Sequence, residues 1–177
     1  FANCLTSMIS PKVIDDFLPS GVFDYLKEFV VGNANFPWYH MPSVSGSESD
    51  DGTYFIHTIY AQNAPNSASF NNFIPLIETI QPYAINRIKV NFYPTTNEIV
   101  EHNFHVDEEF THHGAIFYLN TCNGKTIFES GEIIDSVENR LLLFDPSKPH
   151  KSTTCTDHEF GRYNINMNFF ETPLLNT

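Results

Sequence analysis

The sequence predicts a mainly β chain, an α+β arrangement in which two helices buttress an antiparallel sandwich or barrel. Three observations carry this. From residue 84 the chain breaks into short runs rich in Ile, Val, Phe, Tyr and Thr, separated by Gly, Asn, Asp and Pro turns, which is the texture of consecutive antiparallel strands. Ahead of them lie two stretches whose apolar residues recur at helical spacing. The composition supplies a core, since 41% of the 177 residues are hydrophobic and seventeen are Phe. That is enough for one well-buried domain and too little for two.

The opening "FANCLTSMIS" carries no basic region and no long apolar run, so it does not read as a secretory signal. In "LPSGVFDYLKEFVVGN", Ser20 is the expected N-cap, Phe23, Leu26, Phe29 and Val30 form an apolar stripe, and Gly32 is the stop. Residues 33–53 are rich in Pro, Ser, Gly and Asp and are expected to form an exposed loop. Its later part, residues 41–53, is a candidate lid. A second helix follows in "SFNNFIPLIETIQ", with Phe70, Phe73, Ile74 and Ile77 on one face and Pro75 tolerated in the first turn. The strand candidates are "AINRIKVNFYP", "GAIFYLN", "KTIFES", "GEIIDSV", "NRLLLFD", "HKSTTC" and "RYNINMNFF". The expected domain is therefore 1–177, with helical support over roughly 10–83 and a β core over roughly 84–172.

Charge narrows the partners. Nine Lys+Arg against 21 Asp+Glu give a net charge of -12, which repels phosphate backbones and excludes nucleic acid as a default partner. No apolar run reaches the length of a membrane helix. Cys4, Cys122 and Cys155 are odd in number and lack a CxxC spacing, so neither a disulfide framework nor a thiolate zinc site is expected, and a reducing cytoplasm fits.

The segment "EHNFHVDEEFTHH", residues 101–113, holds four of the eight histidines. In an extended chain His105 and Asp107 point the same way, because side chains alternate faces. An imidazole and a carboxylate two apart can share one cation, and His150 in "SKPHKSTT" offers a third ligand. Two His and one carboxylate leave open positions on an octahedral ion, as in non-haem Fe(II) oxygenases and unlike closed structural zinc sites. Alone, the HxD pattern is also a common chance occurrence. In "GRYNINMNFF", Arg162, Asn164, Asn166 and Asn168 alternate with Tyr163, Ile165, Met167 and Phe169. Asn is depleted in strands, so this face suggests a polar groove whose arginine takes a carboxylate bidentately.

At this point the chain resembles the 2-oxoglutarate and Fe(II)-dependent oxygenases, and within them the prolyl hydroxylase branch, including the hypoxia-inducible-factor prolyl hydroxylases. The likeness rests on "NFYP", "FHVDE", "FYLN", "NRLLLF" and "RYNI", in order over residues 88–170. It implies a double-stranded β-helix, or jelly-roll, core. It implies that His105, Asp107 and His150 ligate Fe(II) and that Arg162 binds the distal carboxylate of 2-oxoglutarate. Tyr118 would share that carboxylate, while Tyr93 and Asn166 would line the cosubstrate pocket. Asn91 corresponds to a cosubstrate-contacting Asn of the AlkB-type branch. For each of these four a plainer role is open as well, a core tyrosine with its hydroxyl satisfied or an exposed amide.

The implied reaction uses O2 and 2-oxoglutarate, with ascorbate as an accessory reductant. It hydroxylates an unactivated carbon, that of a prolyl or other residue in a peptide being the branch's typical target, and releases succinate and CO2. Asp107 favours hydroxylation over halogenation, whose enzymes leave that position without a carboxylate. An AlkB-like nucleobase dealkylase also begins its signature strand with "RYN", but its second arginine is here Asn168. A free amino acid or small-molecule hydroxylase stays open, and so does a non-catalytic jelly-roll binding module. The acidic surface suggests a basic peptide. His102, His112 and His113 are expected at the surface or on a substrate loop.

Overall fold

The computed structural model describes residues 10–45 and 53–171. Cys4, most of "FANCLTSMIS" and the central part of the candidate lid, residues 46–52, lie outside them. Among the described residues, no helix is long and apolar enough to cross a membrane.

Two short helices precede the body of the sheet. The first, α1, spans Ser20–Lys27 and continues as a π turn over Glu28–Gly32. Pro19, not Ser20, occupies the N-cap. Its fixed φ sets the entry angle, and its carbonyl accepts from the backbone N–H of Val22 and Phe23 at 2.9 and 3.0 Å, so Ser20 is already helical. The second, α2, spans Ile74–Ile80 after a 3-10 turn at Phe70–Phe73, with Pro75 in its first turn. Gln81 ends it in the left-handed conformation.

The strands are β1 (Lys12–Ile14), β2 (Tyr39–Met41), β3 (Tyr54–Ala61), β4 (Ala64–Pro65), β5 (Ala84–Pro94), β6 (His113–Tyr118), β7 (Cys122–Phe128), β8 (Ile133–Ser136), β9 (Arg140–Phe144), β10 (His150–Ser152) and β11 (Gly161–Phe170). All seven expected strands are present. The four before residue 84 are not apparent in the sequence, where residues 33–53 read as loop only. β3 is the largest omission, since it pairs with β5 inside the main sheet. Its "YFIHTIYA" puts apolar side chains on both faces, so it shows neither the alternation of a half-exposed strand nor a helical stripe.

Two antiparallel sheets result. The larger runs β1-β9-β6-β11-β5-β3-β2, with β4 beside β3, and the smaller runs β10-β7-β8. One face of the larger sheet meets the helices, where Phe117, Tyr163, Ile165, Met167, Ile88 and Val90 pack with Phe23, Leu26, Phe73 and Leu76. The other face meets the smaller sheet. Ile116, Tyr118, Leu142 and Phe144 from the larger pack with Phe128 from the smaller. This facing pair is the jelly-roll that the motifs implied.

Gly161 at the start of β11 has φ +152, and a Cβ there would overlap the carbonyl oxygen of Tyr93. That overlap is with backbone and cannot be relieved by a rotamer. Gly161→Ala is therefore expected to destabilise the fold by about 1–3 kcal/mol, read as a lower urea midpoint. An unchanged midpoint would show that the β5–β11 junction can yield.

Candidate metal centre and cosubstrate cleft

The segment carrying His105 and Asp107 is not a regular strand. It runs as irregular chain pinned to residues 146–154 by backbone bonds: His105 and His150 exchange N–H···O bonds at 3.0 Å each, Asp107 N–H donates to Pro146 O at 2.9 Å, and His102 N–H donates to Ser152 O at 3.0 Å. Alternation still holds locally. One ligand atom each from His105, Asp107 and His150 lie within 4.8 Å of one another, and His105 Nε2 is 3.9 Å from Asp107 Oδ1.

The tautomer follows from the partners. His150 Nδ1 is 2.9 Å from Lys148 O, and a carbonyl only accepts, so Nδ1 carries the proton and Nε2 keeps its lone pair. His105 Nδ1 faces Asn103 O at a longer 3.4 Å. Burial, and then the neighbouring His150, push His105 down to about 4, which leaves its ring neutral and able to ligate. Burial opposes ionisation of Asp107, but His150, Arg87 and the Asn168 amide outweigh it and hold the carboxyl at about 2. The amides of Asn168 and Asn166 donate to Asp107 Oδ2 at 2.8 and 3.3 Å, and Arg87 Nη2 lies 3.4 Å from Oδ1. A neutral imidazole and an ionised carboxylate fixed from behind are what a divalent cation requires.

The cleft floor is a ladder of cross-strand pairs between β5 and β11: Tyr93 with Arg162, Asn91 with Asn164, Lys89 with Asn166 and Arg87 with Asn168. All four β11 members are buried, Arg162 and Asn168 fully. Arg162 is sandwiched between the rings of Tyr93 and Tyr118, at 5.4 and 5.6 Å. It donates to Ser136 Oγ at 2.6 Å, Thr126 Oγ1 at 2.8 Å and Thr153 O at 3.2 Å. All three acceptors are uncharged, and no ion pair to Arg162 occurs among the described residues. A guanidinium has five N–H donors, and a buried charge without a counterion is costly. The site therefore fits an anion. Gly124 makes room for this arginine: a Cβ there would stand 2.7 Å from Arg162 Cδ and 2.9 Å from Thr154 O.

Of the remaining candidates, Tyr93, Asn91 and Asn166 line the same cleft, a narrow cavity of about 30 Å³, and Tyr118 lies beside it against Arg162. Tyr118 hydroxyl bonds Thr126 Oγ1 at 2.8 Å, and burial raises the pKa of both Tyr118 and Tyr93, so both stay protonated as donors. Asn91 donates to Asn164 Oδ1 at 2.8 Å. The Oδ1 atoms of Asn91 and Asn166 are buried without a partner among the described residues. Asn91 and Asn166 are not exposed amides.

Two histidines depart from expectation. His102 is 2% exposed, bonded to Ser152 Oγ at 2.9 Å and packed on Tyr93 at 5.5 Å. His112, also 2% exposed, has Nε2 3.0 Å from the Asn168 amide. Both are supports buried beside the cleft, because the chain around the ligands folds inward. Lys89 and Thr126 line the cleft, and Ser136 holds Arg162 from behind, without having been expected there. The alternation of "RIKVNFYP" already put Arg87 and Lys89 on the face of Asn91 and Tyr93. Thr126 and Ser136 gave no signal. Cys122, Cys155 and Asp157 also offer ligand atoms within 4.8 Å of one another, a juxtaposition that their distance in sequence conceals.

No protein-family model matches the sequence, and no curated protein does. Solved structures do. A prolyl hydroxylase of Trichoplax adhaerens, in complex with a hypoxia inducible factor oxygen degradation domain peptide fragment, is similar at 16% identity and a TM-score of 0.63, over 91% of this chain and 83% of that one. A Pseudomonas putida prolyl-4-hydroxylase is similar at 12% identity and TM-score 0.55, over 92% of each chain. An oxidoreductase of the 2OG-Fe(II) oxygenase family from Burkholderia pseudomallei is similar at 11% and 0.62, over 90% of this chain and 84% of that one. Identities this low speak to the fold, and on the fold they agree with the two facing sheets. The chain has a double-stranded β-helix fold, similar to that of these two prolyl hydroxylases and the 2OG-Fe(II) oxygenase.

Proposed function

We propose that residues 1–177 form one Fe(II)- and 2-oxoglutarate-dependent dioxygenase domain that hydroxylates an unactivated carbon. The observation that supports it is the pairing, in one cleft, of a two-His-one-carboxylate cluster with a buried arginine that has no counterion among the described residues. His105, Asp107 and His150 would hold the metal, and Arg162 the far carboxylate of 2-oxoglutarate. When bound, the iron supplies oxygen activation coupled to conversion of 2-oxoglutarate to succinate and CO2, one oxygen atom of O2 going to succinate and the other to the substrate.

The chain's own residues do the rest. Arg162 neutralises and orients the cosubstrate in a low-dielectric pocket, with Tyr118 and Tyr93 as protonated neighbours. Asn166 and Asn168 fix the carboxylate rotamer of Asp107. Phe128 and Phe144 pack against the His150 ring and hold it in place. Ascorbate would keep the metal reduced. Two buried free thiols, Cys122 and Cys155, suit a cytoplasmic setting.

For the primary substrate, likeness to prolyl hydroxylases favours a prolyl or other peptide residue. The Lys89 ammonium, which has no carboxylate within ion-pair distance among the described residues, favours a free acid instead. Incubating the protein with Fe(II), ascorbate and 2-oxoglutarate should release succinate above a metal-free control, and faster with a true substrate. If 2-oxoglutarate does not bind in a metal-dependent way, the assignment fails and a non-catalytic module takes its place.

A further inference from the structure

A chain of net charge -12 gathers cations in one place. Lys89, Lys151 and Arg162 line the cleft, where Asp107 is the only acidic lining residue among the described ones, and Arg87 adjoins it through Asp107. Three of the four have partners or a role. Lys151 pairs with Glu101 at 2.6 Å and lies over the Phe104 ring. Arg87 bonds Asp107 and the Asn168 side-chain oxygen at 3.0 Å. Arg162 sits at the other end of the ladder, where the cosubstrate reading places a carboxylate.

Lys89 differs. Among the described residues no carboxylate lies within ion-pair distance of it, and the Asp107 charge acts on it only from further off. Its nearest acceptor is the Tyr54 hydroxyl at a long 3.5 Å, with the ammonium 5.6 Å from that ring's centre. Burial, and then the Arg87 charge, bring its pKa down to about 8 against the smaller opposing pull of Asp107, a penalty that an arriving anion would reverse. Its place matters as much. Lys89 pairs with Asn166, which donates to Asp107, so it stands at the metal cluster's end of the ladder. Arg162 lies four residues further along β11, about 13 Å at strand rise.

Resting on the oxygenase reading, we propose that Lys89, with Arg87 beside it, receives the carboxylate of the primary substrate, which is a small free carboxylic acid of the amino-acid class and not an internal residue of a peptide. The balance of charge agrees. A divalent metal, Arg162, Arg87 and Lys89 outweigh Asp107 and the two charges of 2-oxoglutarate. An uncharged peptide laid across the mouth would bury the Lys89 ammonium unpaired, whereas a free acid brings a carboxylate that pairs with it. The overall negative surface does not prevent this, because a cleft focuses its own local field.

The test uses the protein loaded with Zn(II) and 2-oxoglutarate, which cannot turn over, for calorimetric binding, and the Fe(II) form for succinate release. The probes are the free L-amino acids and straight-chain C4–C6 carboxylic acids, the amide of each, a doubly capped prolyl peptide and a doubly capped acidic peptide. At least one free acid is expected to bind and to raise succinate release, with its amide weaker by about tenfold or more. Lys89→Met should raise the acid's Kd and KM by a similar factor, Lys89→Arg should restore part of the loss, and the 2-oxoglutarate KM should not follow. The proposal is overturned if no acid binds the loaded protein, if amide and acid bind alike, if only a capped peptide stimulates, or if Lys89→Met weakens 2-oxoglutarate as much as the acid. Loss of metal-dependent 2-oxoglutarate binding in the wild type is a separate result and would remove the oxygenase reading beneath it.

Discussion

His105→Ala abolishes Fe(II) binding and turnover while the protein remains folded. The ring is 22% exposed on its side-chain surface, so truncating it opens little buried space. The reciprocal backbone bonds between residues 105 and 150 can be made by alanine as well. One of three ligands is lost, and its several kcal/mol correspond to a metal affinity lower by about a thousandfold or more. His150→Ala should lose metal equally but cost stability too. That ring is buried and packs against Phe144 and Phe128 at 4.9 and 6.2 Å, so about 1–3 kcal/mol should go with it. Anaerobic equilibrium dialysis with Fe(II), alongside thermal melts, separates the two effects. Wild-type affinity in His105→Ala would end the metal assignment. Equal destabilisation of the two variants would mean that the difference in burial does not govern their stability.

How far the sequence could be read depended on whether a residue's environment was local. The seven strands from residue 84 were legible because they are bounded by turn residues and show either a short unbroken apolar run, as in β6 and β9, or alternation, as in β11. In β11, Tyr163, Ile165, Met167 and Phe169 reach the helices, and Arg162 with its three asparagines faces the smaller sheet. β3 was not legible, because its apolar residues are broken by His57 and Thr58 without regular alternation and it follows directly on the loop-like stretch 33–53. The burial of His102 and His112 was hidden for another reason. It is fixed by residues at 152 and 168, and nothing within a few positions of either histidine records those contacts. The ligands themselves were legible only as types. His105 and Asp107 share a side by alternation, but their convergence on His150 is made by backbone bonds to residues 146–150, outside any regular strand.

Arg162→Leu removes 2-oxoglutarate binding without removing iron. The guanidinium is fully buried, so the variant exchanges a charge for hydrocarbon of comparable reach and strands the acceptors Ser136 Oγ, Thr126 Oγ1 and Thr153 O. Losing a buried, charge-assisted partner costs about 2–5 kcal/mol of ligand affinity, roughly two to three orders of magnitude in the 2-oxoglutarate Kd. The fold responds in the opposite sense. Without cosubstrate the wild type carries a buried charge with no counterion among the described residues, and removing that charge offsets the cost of the three stranded acceptors. The apo variant should therefore melt near the wild type or above it. Adding 2-oxoglutarate with Zn(II) separates them, because a ligand that binds only the folded state raises the melting point according to its concentration relative to Kd. The wild type should climb with added 2-oxoglutarate and the variant should stay flat, while both respond alike to Zn(II) alone. Arg162→Lys keeps the charge but loses the planar fork that reaches three acceptors at once, and it should fall between them. A variant that climbs with 2-oxoglutarate as the wild type does would place the cosubstrate carboxylate elsewhere, and the buried arginine would then be a structural charge held by Ser136, Thr126 and the two tyrosine rings.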